Sequence, residues 1–131
     1  MKKNILAAVA SLIMCLINRQ LRTMAGTGAA GFFLRCYFND IVGSVAFMSL
    51  ANIFLLFLGF RGITKPLHIE ALLLGAGLFW EYGAPLIRSD TVSDPVDILA
   101  YLLGGAIYWL VTVKHKSSRE TAVQTYSDFT K

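Results

Sequence analysis

Hydrophobic positions along the chain fall into four runs separated by short polar or basic breaks. The first, Ile5 to Ile17, follows Lys2 and Lys3. The second, Ile41 to Phe60, is twenty residues without a charge. As a helix it is about 30 Å long, enough to span a bilayer. The third runs from about Ile69 to Ile87 and is interrupted by Glu81; the fourth runs from about Val96 to Val113. Arg61, Gly62, Lys65 and Pro66 mark the turn between the second and third, and Ser93-Asp94-Pro95 the turn between the third and fourth. Gly26-Thr27-Gly28 is a helix breaker, and Gly31 to Asp40 (GFFLRCYFND) mixes aromatic with polar residues. Residues 26–40 therefore read as an interfacial segment. The pattern predicts an all-α polytopic membrane protein. Four transmembrane helices near 5–17, 41–60, 69–87 and 96–113 would form a small antiparallel bundle over residues 1–116. A flexible, soluble cytoplasmic tail is expected over 117–131.

Composition supports this class. Of 131 residues, 56% are hydrophobic and 15% charged, and the mean hydropathy is +0.60. A soluble domain of this size could not cover so much apolar surface. The net charge of +4 bears first on topology. With the amino terminus inside, Lys2, Lys3, Arg61, Lys65, Lys114, Lys116, Arg119 and Lys131 are cytoplasmic, and Arg19, Arg22, Arg35 and Arg88 are outside. Both termini inside is the topology that keeps basic residues on the cytoplasmic face. Lys2, Lys3 and the run behind them have the outline of a signal peptide, but no small-x-small site follows, and Ile13-Met14-Cys15 is a poor lipobox. An uncleaved, short first membrane helix is expected. Basic and aromatic residues are not interleaved as nucleic-acid binding would require. Cys15 and Cys36 belong to no CxxC or Cys/His set, so they read as small apolar residues, with a disulfide only in an oxidising compartment.

This topology gathers the acids on one side. Asp40 opens the second long helix, Glu81 lies roughly 9 Å below the outer boundary of the third, Arg88, Asp90 and Asp94 fall in the outer turn, and Asp97 is in the first turn of the fourth. Gly77, Glu81, Ala84 and Arg88 follow helical spacing, as do Asp97, Tyr101, Gly104 and Tyr108, so two facing stripes are expected. Small residues on the stripes would permit close packing, with Glu81 turned toward Arg88, Asp97 or Tyr101. Most of these residues also have a purely architectural explanation. Asp94-Pro95-Val96-Asp97 is a near-ideal helix start; Asp40 and Glu70 suit helix N-termini; Arg88 could snorkel; Trp80, Tyr108 and Trp109 read as lipid-facing or interfacial aromatics. Glu81 is neither a cap nor a surface residue. It is either one half of an ion pair with Arg88 or the working group of a polar pocket, to which Asn52 would add a hydrogen bond.

The segment Glu81 to Gly104 resembles the VanZ-like family of small bacterial membrane proteins, associated with teicoplanin resistance. The family pattern is a Glu in a helix, an Arg in the following loop, then Asp-x-x-x-Asn-x-x-Gly; here it falls on Glu81, Arg88, Asp97 and Gly104, with Tyr101 in place of the Asn. The resemblance implies a multi-pass protein of the bacterial cytoplasmic membrane, serving the cell envelope. Arg35 to Asp40 (RCYFND) is similar, more faintly, to small bacterial citrate or cation transporters.

Three functions follow as expectations. The first is binding of a polar or anionic ligand, such as a lipid-linked cell-wall precursor or a glycopeptide, at a site of Glu81, Arg88, Asp94, Asp97, Tyr101 and Asp40. The second is an intramembrane enzyme acting on a lipid phosphate or ester, with Glu81 as general acid or base and Asp94 and Asp97 as ligands of Mg²⁺. No other cofactor is evident, and both histidines, His68 and His115, fall away from the acids, so catalysis is left open. The third is a small transporter or accessory subunit, which with so few helices would have to oligomerise.

Overall fold

The computed structural model describes residues 1–24, 26, 28–83 and 95–114. Arg88, Asp90, Asp94, His115 and the tail at 117–131 lie outside the described residues. All regular structure among the described residues is helical. Helix α1 covers Lys2–Met24, α2 Ala29–Cys36, α3 Phe38–Phe57, α4 Pro66–Leu78 and α5 Pro95–Tyr108. Two of them widen into π-helical turns, Phe79–Gly83 after α4 and Trp109–Lys114 after α5.

Helix α1 is 23 residues long, so the apolar run 5–17 is only its middle. The helix continues through Asn18, Arg19, Gln20 and Arg22, because α1 buries Asn18 and leaves the neighbouring Arg19 and Gln20 exposed. The segment at 26–40 is helical for most of its length. It holds a helix of its own, α2, and the first turn of α3, joined at Tyr37. Arg35 ties down the loop before α2: its guanidinium donates to the carbonyl oxygens of Gly31 at 3.0 Å and Gly26 at 2.6 Å.

Helix ends follow local chemistry. Helix α3 closes with Gly59 at φ +82°, its N–H on the Leu56 carbonyl and the Phe60 N–H on that of Leu55. This paired pattern needs a left-handed residue, which glycine adopts without steric cost. Helix α4 starts with Pro66 behind an extended Lys65, where a missing N–H costs nothing.

Helix α3 packs most extensively on α1 and α5, and α4 packs on α5. The centre is Met48, Ile69, Leu73 and Tyr108, flanked by Val45, Ile63 and Trp109. Elsewhere the interfaces are made of small side chains, among them Ala7, Ala8, Ser11, Ser44, Ala46 and Ser49. The large apolar side chains point outward instead: Leu6 is 70% exposed, Leu16 66%, Phe57 82% and Leu99 64%. Small residues inside and large ones outside is the arrangement of a protein whose solvent is lipid, where helices associate by close packing rather than by escaping water. Among the described residues, three helices are long and apolar enough to cross a membrane: Lys2–Met24, the joined pair Ala29–Phe57, and Val96–Lys114. The buried hydroxyls of Ser44, Ser49 and Thr112 bond carbonyls of their own helix, Ser44 on Ile41, Ser49 on Val45 and Thr112 on Tyr108, at 2.7–2.8 Å.

Candidate functional site

Three segments bring carboxyl groups together at one end of the molecule. Asp40 lies in the first turn of α3. Asp97 lies in the first turn of α5, four residues before Tyr101. Glu81 comes from the π-helical turn after α4 and is 9% exposed. The three carboxyls and Tyr101 lie within electrostatic reach of one another. The Tyr101 hydroxyl donates to Asp40 Oδ1 at 3.5 Å, the outer limit for such a bond.

Glycine sets the approach of α4 to α5. A β-carbon on Gly77 would lie 2.9 Å from the Tyr101 ring, so only glycine lets the ring lie across α4 and carry its hydroxyl toward Asp40. Gly104 does not belong to that contact, contrary to the stripe expected from spacing. It faces α3, where a β-carbon would overlap Ser44 and the Ile41 carbonyl. Gly105 takes the α4 side: a β-carbon there would meet Leu73 at 2.6 Å and the Glu70 carboxylate at 2.9 and 3.0 Å. Glu70 is therefore packed against α5 rather than serving the start of α4, and its Oε2 is buried without a hydrogen-bond partner.

The π-helical turn changes the expected register. Spacing put Gly77 and Glu81 on one α-helical stripe with Ala84 and Arg88; the extra residue per turn at Phe79–Gly83 breaks that periodicity at Glu81 itself. Such widened turns occur often at functional sites. Ala84 and Arg88 lie outside the described residues.

Next to Asp40 a cavity of about 290 Å³ opens between α3, α4 and α5; Asn39, Asp40, Ser44, Phe47, Trp80 and Tyr101 are in its lining, and Glu81 and Asp97 are not. Its size is at the lower end for ligand pockets. Trp80 is 59% exposed and forms the outer rim. Among the described residues, no three His, Cys, Asp or Glu side chains are placed to hold a metal ion. Of the residues expected to bind Mg²⁺, Asp97 is in the acid group and Asp94 lies outside the described residues.

Two residues belong elsewhere. Asn52 does not serve Glu81. It is 2% exposed and works at the far end, donating to the Ile63 carbonyl at 3.0 Å and to the Tyr108 hydroxyl at 2.6 Å, and accepting from the Ile63 N–H. Tyr108 faces neither lipid nor interface: it is 1% exposed, and its hydroxyl donates to Asn4 Oδ1 at 3.1 Å. His68 is exposed at the start of α4. Cys15 and Cys36 are free, half-buried thiols.

Sequence reasoning also passed over Asn18. It is fully buried and donates to the Leu34 carbonyl at 2.9 Å and to Asn39 Oδ1 at 2.8 Å, joining α1 to α2 and α3. The available signal was an amide directly after an apolar run, with helix-forming residues after it.

No family model, curated protein or solved structure matches the chain. The functional reading therefore rests on the geometry of the acid group and its cavity.

Proposed function

We propose that the chain is a four-helix, antiparallel, multi-pass protein of the bacterial cytoplasmic membrane with both termini inside, and that it binds a polar ligand through Asp40, Glu81, Asp97 and Tyr101. One observation carries the reading. A buried carboxyl on a π-helical turn shares its surroundings with two more carboxyls and a phenol from other helices. Bringing three acids together opposes folding, and the cavity next to Asp40 supplies a reason for the arrangement. Carboxylates are acceptors only. The complementary ligand carries ammonium or several hydroxyl and amide donors, and a volume of about 290 Å³ admits a small molecule or one part of a larger one. The phenol ring and Trp80 would flank it.

The resemblance of residues 81–104 to VanZ-like proteins points to glycopeptides and lipid-linked cell-wall precursors, which carry amines and many hydroxyls. The test is thermal unfolding of the detergent-purified protein with an amine-bearing glycopeptide added, for wild type and Glu81→Gln. Stabilisation of wild type, reduced in the variant, supports the site. An equal shift in both, or none in either with the variant intact, removes Glu81 from ligand binding.

A further inference from the structure

The acids occupy one end of the molecule; the opposite end holds a larger cavity, about 700 Å³, with the opposite charge. We propose that this cavity is a binding site for a phosphate-bearing anion. Three stretches far apart in sequence build it: the start of α1, the loop after α3, and the end of α5 with its π-helical extension. They contribute Lys2, Lys3 and Arg61, and no acidic residue is among the described residues that line it.

The inner wall explains why these cations stay together. Asn4, Asn52 and Tyr108 form a continuous hydrogen-bonded chain, and Asn52 holds both backbone groups of Ile63, two residues after Arg61. Asn52 and Tyr108 are nearly inaccessible, so the chain fixes the loop relative to α1. Arg61 is thereby kept in the same cavity lining as Lys2 and Lys3. Gly62 allows the close approach: a β-carbon would lie 3.0 Å from Asn52 Oδ1. The Asn4 carbonyl is taken by Tyr108, leaving the donor end of that amide for a ligand. Unsatisfied N–H groups at the first turn of α1 add partial positive charge to the same space.

Guanidinium and ammonium groups around amide donors match a phosphate better than a carboxylate, which has fewer oxygens to share among them. Leu56 and Val113 form apolar walls of the cavity. A phosphodiester with a hydrocarbon body, as in an anionic phospholipid, therefore fits alongside free inorganic phosphate. Lys2, Lys3 and Arg61 are all exposed, so replacing them leaves the buried amide chain intact.

The experiment uses the full chain in a neutral detergent. Thermal unfolding is followed with added phosphatidylglycerol, phosphatidylcholine or inorganic phosphate. Wild type is compared with the double variant Lys3→Gln/Arg61→Gln and with Arg19→Gln/Arg22→Gln, which removes equal charge from exposed positions elsewhere on α1. Phosphatidylglycerol is expected to stabilise wild type and the Arg19/Arg22 variant, and to bind the Lys3/Arg61 variant at least tenfold more weakly. Stabilisation by phosphate as well identifies the headgroup alone as sufficient; stabilisation by phosphatidylglycerol alone identifies the lipid. Equal stabilisation by phosphatidylcholine, or an equal loss in both double variants, overturns the site. So does unchanged binding in the Lys3/Arg61 variant.

Discussion

Replacing Asn52 by alanine is the sharpest test of what holds the bundle together. The side chain is 2% exposed and makes three hydrogen bonds, two to the backbone of Ile63 and one to the Tyr108 hydroxyl. In a membrane, side-chain hydrogen bonds average about 0.6 kcal/mol and reach about 1.7 kcal/mol, because the unfolded helices also find partners in the bilayer. Three such bonds give a loss of about 2 kcal/mol. Ile63 is only half-buried, so water can replace part of what its backbone loses, which keeps the figure near that average. Tyr108→Phe removes two bonds, to Asn52 and Asn4, and should cost about 1 kcal/mol on the same scale. The two residues share one bond of 2.6 Å. The double variant should therefore be less destabilised than the sum, by about 0.6 kcal/mol or more. The assay is reversible unfolding in mixed micelles at rising denaturing-detergent fraction, read by tryptophan fluorescence; Trp109 packs against the centre beside Tyr108. Strict additivity would refute the reasoning, since it would mean that the amide and the phenol do not meet.

Other outcomes follow from single contacts. Gly104→Leu should destabilise by about 1–3 kcal/mol, typical of overpacking, because any side chain there meets Ser44 and the Ile41 carbonyl of α3; an unfolding titration reads it. Gly59→Ala should cost about 1 kcal/mol, since φ is +82° and a β-carbon disfavours that conformation; Gly59→Asn should lose less. Cys15 and Cys36 are both free, so two thiols should label with maleimide after denaturation, and a reductant should leave thermal stability unchanged. Asn18→Leu should weaken the contact of α1 with α2 and α3, about 1 kcal/mol for its two hydrogen bonds, visible in the same unfolding assay.

What the sequence makes legible, and what it does not, has a physical pattern. The all-helical character and the long apolar helices are readable because lipid demands them over many consecutive residues. Helix α3 shows this: the run Ile41 to Phe60 lies within a few residues of Phe38–Phe57. Hydropathy fails where a helix goes on through polar residues. Helix α1 extends past Ile17 because Asn18 faces protein while Arg19 does not, and one-dimensional hydropathy has no faces. It also fails for α2, whose aromatic and polar mixture satisfies an interface and a short helix equally. Within the acid group, Asp40, Glu81, Asp97 and Tyr101 were nameable from charge placement, but the π-helical turn under Glu81 was not, because a periodicity of 3.6 is assumed in every helical stripe. The assignment of Asn52 to Glu81 could have been avoided from geometry: twelve residues of helix separate Asn52 from Asp40, about 18 Å along the axis.

The partners of the buried amides also set an order of assembly. Asn18 bonds to residues 16 and 21 positions later, and Asn52 to Ile63, 11 positions later. Each of these contacts can close as soon as α3 and its following loop have left the ribosome. The Tyr108 hydroxyl, 56 positions beyond Asn52, is the late arrival. During synthesis the amide of Asn18 and the Ile63 bonds of Asn52 can thus be made within the first half of the chain, while Asn4 and the second donor of Asn52 wait for Tyr108 on α5. Helix α5, when it comes, finds in Asn52 an amide already oriented by the loop, and its docking links α3 to α1 through Tyr108.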